Sequence, residues 1–287
     1  QQQRLIELIA GEGLPQSYIG IVQDWISPLS DWLIQQQAAL PTKPLLVGIN
    51  GAQGTGKTTL SKFLSFLLGA THKTLALSLD DFYLGRAARQ KLARRSHPLL
   101  ATRGVPGTHN LVALNDCLDR VLAGQSVSVP RFDKAEDEPL SQSQWQPSGA
   151  DVQIVLLEGW CMGVEAQALD ALLEPLNSLE ENEDADRRWR TFINWQLAGD
   201  YRRLFGRLDR LIMLQAPSMD SVYEWRQLQE QKLRQRGGTQ VMDSDQVVRF
   251  VQHFERLTRH GLDTVPARCD YLLQLNSGHG IERAIIG

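Results

Sequence analysis

Gly51-Ala52-Gln53-Gly54-Thr55-Gly56-Lys57-Thr58 follows the apolar run Leu45-Leu46-Val47-Gly48-Ile49 and leads into Thr59-Leu60-Ser61-Lys62-Phe63-Leu64. A buried strand, a glycine-rich turn and a helix thus occur in the order that a phosphate-binding loop requires. The glycines let the backbone curl so that successive N–H groups point inward, and the following helix adds its positive N-terminal dipole. Gly51, Ala52, Gln53, Gly54, Thr55, Gly56, Lys57, Thr58 and Thr59 are expected to line the phosphates of a nucleotide. Lys57 supplies a point charge for the β and γ phosphates, and the Thr58 hydroxyl is placed to ligate Mg2+. A nucleoside triphosphate and Mg2+ are what this stretch by itself predicts, which suits a motor, a GTPase or a kinase equally.

On either side of the loop, apolar spacing sets the expected elements. Leu5, Ile6, Leu8 and Ile9, then Ile21, Val22, Trp25, Ile26, Leu29, Trp32 and Leu33, fall at helical intervals before Pro41 and Pro44 stop the pattern. Residues 1–44 are therefore read as an N-terminal helical extension, and residues 45–287 as the domain that carries the phosphate-binding loop. Leu60, Phe63, Leu64, Leu67 and Leu68 form one helical stripe ending at Gly69, and residues 74–79 follow as a short strand. Leu111, Leu114, Leu118, Val121 and Leu122 mark a helix closed by Gly124, with a further short strand over residues 126–129. Polar residues 131–150, with Pro139, Pro147 and Gly149, read as a surface loop. Residues 152–157, 211–214 and 271–275 are apolar strands, the last of them closing the sheet. Residues 218–236 and 244–260 are helices separated by Gly237-Gly238. Strands alternating with helices predict an α/β, three-layer P-loop NTPase fold with a mainly parallel central sheet.

Composition narrows the class further. The 287 residues are 42% hydrophobic and 22% charged with a formal net charge of -3, which suits a globular chain and gives no compositional case for nucleic acid or an anionic membrane as partner. Cys117, Cys161 and Cys269 are an odd number without C-x-x-C spacing, so reduced buried thiols are expected rather than zinc or disulfides. No stretch is long and apolar enough to span a membrane, and the start lacks the plan of a secretory signal, so a cytoplasmic location is expected. Because the chain opens without Met, a segment upstream stays open. The run Glu180-Glu181-Asn182-Glu183-Asp184 reads as a cap for the next helix N-terminus or, preferably, as a solvated face, and Trp160, Trp189, Trp195 and Trp225 as packing residues.

Ligands in open α/β sheets sit beyond the carboxyl ends of strands, so acids that directly follow strands are the chemical candidates. Asp80-Asp81-Phe82-Tyr83 follows one strand, and Glu158-Gly159 ends another. A carboxylate in the first place can orient or deprotonate an acceptor hydroxyl or reach the metal, and one in the second is the usual partner of a P-loop hydroxyl in metal binding. Lys57, Asp80 and Glu158 are thus the catalytic candidates, and Thr58, Glu158 and Asp80 the metal candidates.

Residues 51–58, Leu77-Ser78-Leu79-Asp80-Asp81-Phe82-Tyr83 and Leu156-Leu157-Glu158-Gly159-Trp160 resemble the metabolite-kinase branch of P-loop proteins that includes uridine kinase, phosphoribulokinase and pantothenate kinase. More narrowly, His97-Pro98-Leu99-Leu100, Thr102-Arg103-Gly104-Val105-Pro106-Gly107-Thr108-His109 and Pro130-Arg131-Phe132-Asp133-Lys134 resemble the D-glycerate 3-kinase group. The resemblance covers roughly residues 45–275 and implies Asp80, rather than Asp81, as catalytic base and Glu158 as the acid linked to Mg2+. One departure is plain: Ala135-Glu136-Asp137-Glu138-Pro139 stands where the group usually carries a G-x-G-D-R segment. That departure leaves the acceptor less determined than phosphoryl transfer.

A small organic acid as acceptor needs a fixed cation, and Asp80, Tyr83, Arg103, His109, Arg131 and Lys134 are the expected substrate-binding residues. For Lys134, a surface ion pair with Asp133 or Glu136 is an equal reading. The helix containing Tyr223 and Trp225, followed by Gly237-Gly238 as a hinge, resembles the lid of this branch, with Arg226 and Arg234 as the cations it would bring to the phosphoryl group. The expected activity is transfer of the ATP γ-phosphoryl group to a hydroxyl of a small metabolite, D-glycerate by resemblance. A nucleoside, pantothenate or sugar phosphate as acceptor, or an ATP-binding regulatory protein without turnover, are the alternatives.

Overall fold

Alternation along the apolar runs decides which side of the sheet each residue serves. In β1 (Leu45–Gly51), Leu45, Val47 and Ile49 face one apolar cluster while Leu46 faces another. The computed structural model describes residues 2–235 and 242–287. Six strands form the central sheet: β1, β2 (Thr74–Ser78), β3 (Ile154–Gly159), β4 (Arg210–Gln215), β5 (Tyr271–Leu275) and β6 (Ile281–Ile286). Their order is β6-β5-β4-β1-β3-β2, parallel throughout except for the antiparallel edge strand β6. Helices cover both faces, giving a three-layer α/β fold with a mainly parallel sheet. The central strands are buried on both sides, which is why they read as continuous apolar runs.

One face carries the P-loop helix Lys57–Leu68, through Leu60, Phe63, Leu64 and Leu68, together with the N-terminal helices. Ile9, Val22, Ile26, Leu29 and Leu33 lie in the same cluster as Val47, Ile49 and Leu214. The other face packs Leu46, Val155, Leu157 and Met213 against Leu114, Leu118, Trp189 and Tyr201. All three cysteines are free, buried and on this second side. Burial pushes the Cys161 thiol up to about 12, with Asp80 adding to the effect, and Cys117 and Cys269 up to about 11. Helix Ser244–Thr264 joins both clusters, through Val247 and Val251 on one side and Phe254 and Leu257 on the other. None of the described helices is long and apolar enough to cross a membrane.

Several elements depart from the sequence reading. Residues 131–150 are not a plain loop: Phe132–Asp133 pairs with Glu138–Pro139, and Ser128–Val129 pairs with Gln146–Pro147. The strand Ile281–Ile286 follows the one expected to be last. The acidic run is solvated only in its middle: Glu181, Asn182 and Glu183 are exposed, whereas Glu180 and Asp184 are both 0% exposed. Arg256 clasps Glu180 with two nitrogens at 2.6 and 2.7 Å, and Arg190 donates to Asp184 at 2.9 Å. Asp184 also accepts from the backbone N–H groups of Trp189 and Arg190, capping the helix Arg188–Gln196. Buried carboxylates require such partners, because an unpaired charge would be left in low dielectric. Trp195, read as a packing residue, is 65% exposed, whereas Trp160, Trp189 and Trp225 are buried.

Candidate active site

Register brings three strand ends together. Glu158 on β3 lies opposite Ile49 on β1 and Ser78 on β2, so the P-loop, Glu158 and Asp80 emerge side by side from adjacent strands. In the loop itself, Gly54 takes φ 85, and a Cβ there would lie 2.7 Å from that of Trp225. The Thr55 hydroxyl and Lys57 Nζ both donate to the Ala52 carbonyl, at 2.9 and 3.0 Å. The buried Gln53 Oε1 has no partner among the described residues. Burial pushes the Lys57 pKa down, and the carboxylates of Glu158 and Asp80 act in the opposite sense. The Thr58 hydroxyl donates to Glu158 Oε1 at 3.0 Å, while Thr59 continues the helix and is half-buried. Thr58, Glu158 and Asp80 offer only hard oxygen ligands, and Lys57 is a cation held close to a cradle of backbone amides. This set fits Mg2+ and a polyphosphate.

The two adjacent aspartates have different partners. Asp80, in the tight turn Leu79–Phe82 after β2, accepts from the Tyr83 hydroxyl at 2.6 Å and from Lys134 Nζ at 2.7 Å. Burial would raise its pKa, but the Lys134 ammonium and the hydrogen bonds from Lys134 and Tyr83 outweigh burial and hold it below the usual carboxylate value. Asp81 instead accepts from Arg131 at 2.6 Å and from the Phe132 N–H at 3.4 Å, so it anchors the short hairpin that carries Lys134. Lys134 therefore pairs with the candidate base, not with Asp133 or Glu136.

Residues 103–109 form a self-bonded loop. Thr108 is fully buried, and its hydroxyl accepts from the Gly104 N–H at 2.9 Å and donates to the Val105 carbonyl at 2.7 Å. Gly104, at φ 122, has Phe254 where a Cβ would go, and its carbonyl accepts from Trp160 Nε1 at 2.9 Å. The backbone of residues 82–84 then pairs with that of residues 108–110, through Leu84 N–H to Thr108 O at 2.9 Å and Asn110 N–H to Phe82 O at 2.6 Å. Tyr83 and His109 face each other across this bridge, their rings stacked with centroids 4.7 Å apart. Burial pushes the His109 pKa down from 6.5 to about 4, so the imidazole is neutral at neutral pH.

Of the expected substrate-binding cations, Arg103 and Arg131 are already bound to carboxylates of the chain. Arg103 pairs with Asp137, donates to the Lys134 carbonyl at 3.2 Å and lies over the Phe132 ring. Asp137 also binds the buried Arg89, and it takes a left-handed φ of 58 at the turn of the hairpin. The sequence reading missed Asp137, Arg89 and Tyr201, which touches His109 and Gly107. The departure at residues 135–139 was the only local signal pointing at Asp137.

The lid-like helix runs Met219–Gln235 and rests against the P-loop through Trp225. Trp225 Nε1 donates to the Ser277 carbonyl at 2.8 Å and its ring stacks on His279, whose Nε2 lies 2.9 Å from the Gly54 carbonyl oxygen. Arg226 pairs with Glu230 and covers the Phe250 ring, and Arg234 reaches the Met242 carbonyl at 3.5 Å. Among the described residues neither arginine bonds to the P-loop, Asp80 or Glu158. The hinge expected at Gly237-Gly238 lies outside the described residues.

Fold and site together define a P-loop phosphotransferase. Over 234 residues the chain is 32% identical to the uncharacterized kinase mug58 of Schizosaccharomyces pombe, a match covering 77% of this chain and 82% of the relative. It is 30% identical over 230 residues to the chloroplastic D-glycerate 3-kinase of Arabidopsis thaliana, covering 74% of this chain but 46% of that protein. The structure of D-glycerate 3-kinase from Cryptococcus neoformans var. grubii superposes with a TM-score of 0.76 over 91% of this chain and 99% of that one, at 24% identity, and shares the fold. No protein-family model matches the chain. The chain belongs to the P-loop kinases, in the group that resembles D-glycerate 3-kinase, and is an ATP-dependent kinase.

Proposed function

We propose that this kinase uses Mg2+ and ATP to phosphorylate the 3-hydroxyl of D-glycerate or a closely similar hydroxy acid. The observation that carries the reading is Asp80. Its carboxylate stays ionised between Tyr83 and Lys134, beside the Thr58–Glu158 pair and the His109 loop. Mg2+ and ATP, when bound, supply the phosphoryl group and neutralise its charge. Residues 51–59 and Lys57 hold the phosphates, Thr58 and Glu158 hold the metal with Asp80 near it, and Asp80 takes the proton of the acceptor hydroxyl. Tyr83 keeps the Asp80 carboxylate oriented. Lys134 and His109 present donors to the acceptor, as do the remaining N–H groups of Arg103 and Arg131. Arg226 and Arg234 would act as lid cations only after leaving their present partners.

A second reading has its own support. Arg103 and Arg131 are bound to Asp137 and Asp81, so less free positive charge faces the acceptor than a carboxylate clamp would offer. A neutral hydroxyl compound such as a nucleoside is the acceptor on that reading. Turnover of ATP by the purified protein, measured with D-glycerate, nucleosides, pantothenate and sugar phosphates in turn, separates the two. Strong stimulation by D-glycerate is expected. Stimulation by another compound alone overturns the acceptor, and none by any of them favours a regulatory ATP-binding protein.

A further inference from the structure

The Tyr201 hydroxyl is buried, so its partners are confined to the groups around it. Its oxygen accepts from the Gly107 N–H at 3.1 Å and lies 2.5 Å from His109 Nδ1. Burial raises the Tyr201 pKa well above the ordinary value, so the hydroxyl keeps its single hydrogen. If Nδ1 carried a proton, the Tyr201 oxygen would accept twice and its own hydrogen would be buried without an acceptor. The consistent arrangement has Tyr201 donating to an unprotonated Nδ1. A neutral imidazole then carries its hydrogen on Nε2, which is buried and has no partner among the described residues.

The ring that carries that nitrogen packs against the acceptor side of the site. The His109 ring stacks on Tyr83, whose hydroxyl donates to Asp80, and the Asp80 charge reaches the imidazole. Tyr201 ends a single π-helical turn, Leu197–Tyr201, a local widening often found where a helix re-aims a side chain at a functional site. We propose that Tyr201 is a positioning residue that locks His109 in the Nε2–H tautomer, and that this N–H donates to an oxygen of the acceptor substrate. Specificity follows from the fixed polarity. An acceptor presenting a hydroxyl or carboxylate oxygen is accommodated, and one presenting an amine or amide N–H meets a donor with a donor and is rejected. The inference rests on the acceptor site proposed above.

Long-range proton–nitrogen correlation spectra of the full chain with 15N-labelled histidine read the tautomer directly. A proton bonded to His109 Nε2 and an unprotonated Nδ1 are expected; a proton on Nδ1 overturns the proposal whatever the acceptor. In Tyr201→Phe the tautomer becomes mixed, and KM for D-glycerate rises by the inverse of the Nε2–H fraction that remains, about twofold for an even mixture, with kcat and the KM for ATP little changed. Equal loss on both substrates would mark Tyr201 as merely structural. If that variant fails to fold, His109→Gln and His109→Asn decide, because glutamine can place an amide donor near the Nε2 position and asparagine near Nδ1. His109→Gln should keep a lower KM for D-glycerate than His109→Asn, and the reverse order or equality overturns the proposal. Wild-type protein inert towards D-glycerate retires that acceptor, while the spectrum still decides the tautomer.

Discussion

Residues 51–58 hold their shape through backbone geometry and one helix start, whereas the acceptor side draws on residues 80–83, 103–109 and 131–137 and on Tyr201. The donor half needs few side chains, and among the described residues its main cation has only a backbone carbonyl as a direct hydrogen-bond partner. The acceptor half is tied together by side chains bound to one another: Asp80 to Lys134, Asp81 to Arg131, Asp137 to Arg89 and Arg103. A backbone cradle suits one invariant ligand, a polyphosphate, while a mesh of ion pairs can be retuned by single substitutions. Apart from the base Asp80, where chemistry and acceptor meet, the donor half should therefore respond to mutation through turnover and nucleotide binding, and the acceptor half through acceptor affinity and stability.

Asp80→Asn is the largest test of that contrast. It should cost about 10²–10⁴ in kcat while leaving the affinity for Mg·ATP nearly intact, measured by steady-state kinetics and nucleotide titration. Retained turnover would remove Asp80 as base. Lys57→Ala comes next, with an expected loss of about 10²–10³ in kcat together with weaker nucleotide binding. Asp137→Ala should act on stability first, because Arg89, 1% exposed, loses its carboxylate. An increase of about 2–3 kcal/mol in the cost of folding is expected, read from denaturant unfolding, with a raised acceptor KM as Arg103 is released. Unchanged unfolding would show that the cluster is not holding the hairpin.

The smallest effect concerns pH. Lys134 holds the Asp80 pKa down, so Asp80 stays ionised, and competent as a base, to lower pH than an ordinary carboxylate. Lys134→Ala removes that support, and the acid limb of the kcat/KM profile should move to higher pH. A shift in the other direction, or none, would separate the acid limb from Asp80.

The donor half was legible because its information is consecutive: eight residues between an apolar strand and an amphipathic helix. Asp80 and Glu158 were legible through strand ends, since a parallel sheet aligns the carboxyl ends of its strands. The rest depends on pairs far apart in the chain. Tyr201 meets His109 across 92 positions, and Arg256 meets Glu180 across 76, so no local period betrays either contact. The run at residues 180–184 looked solvated because composition cannot show that Arg190 and Arg256 come to it. Two-residue strands such as Phe132–Asp133 are too short to carry an alternation. The irregularity between Ile281 and Arg283 spoils the alternation of the edge strand β6.

The placement of the three thiols has a practical consequence. Cys117, Cys161 and Cys269 all sit on one side of the sheet, the side opposite the N-terminal helices, and burial keeps each largely protonated. Alkylating reagents attack thiolates, so in the native protein they must wait for that layer to open. Labelling rates at these positions thus act as a clock for one half of the core alone. Fraying of residues 2–38 on the opposite side would leave the clock unchanged, whereas loosening around Trp160 and the acceptor loop would speed it.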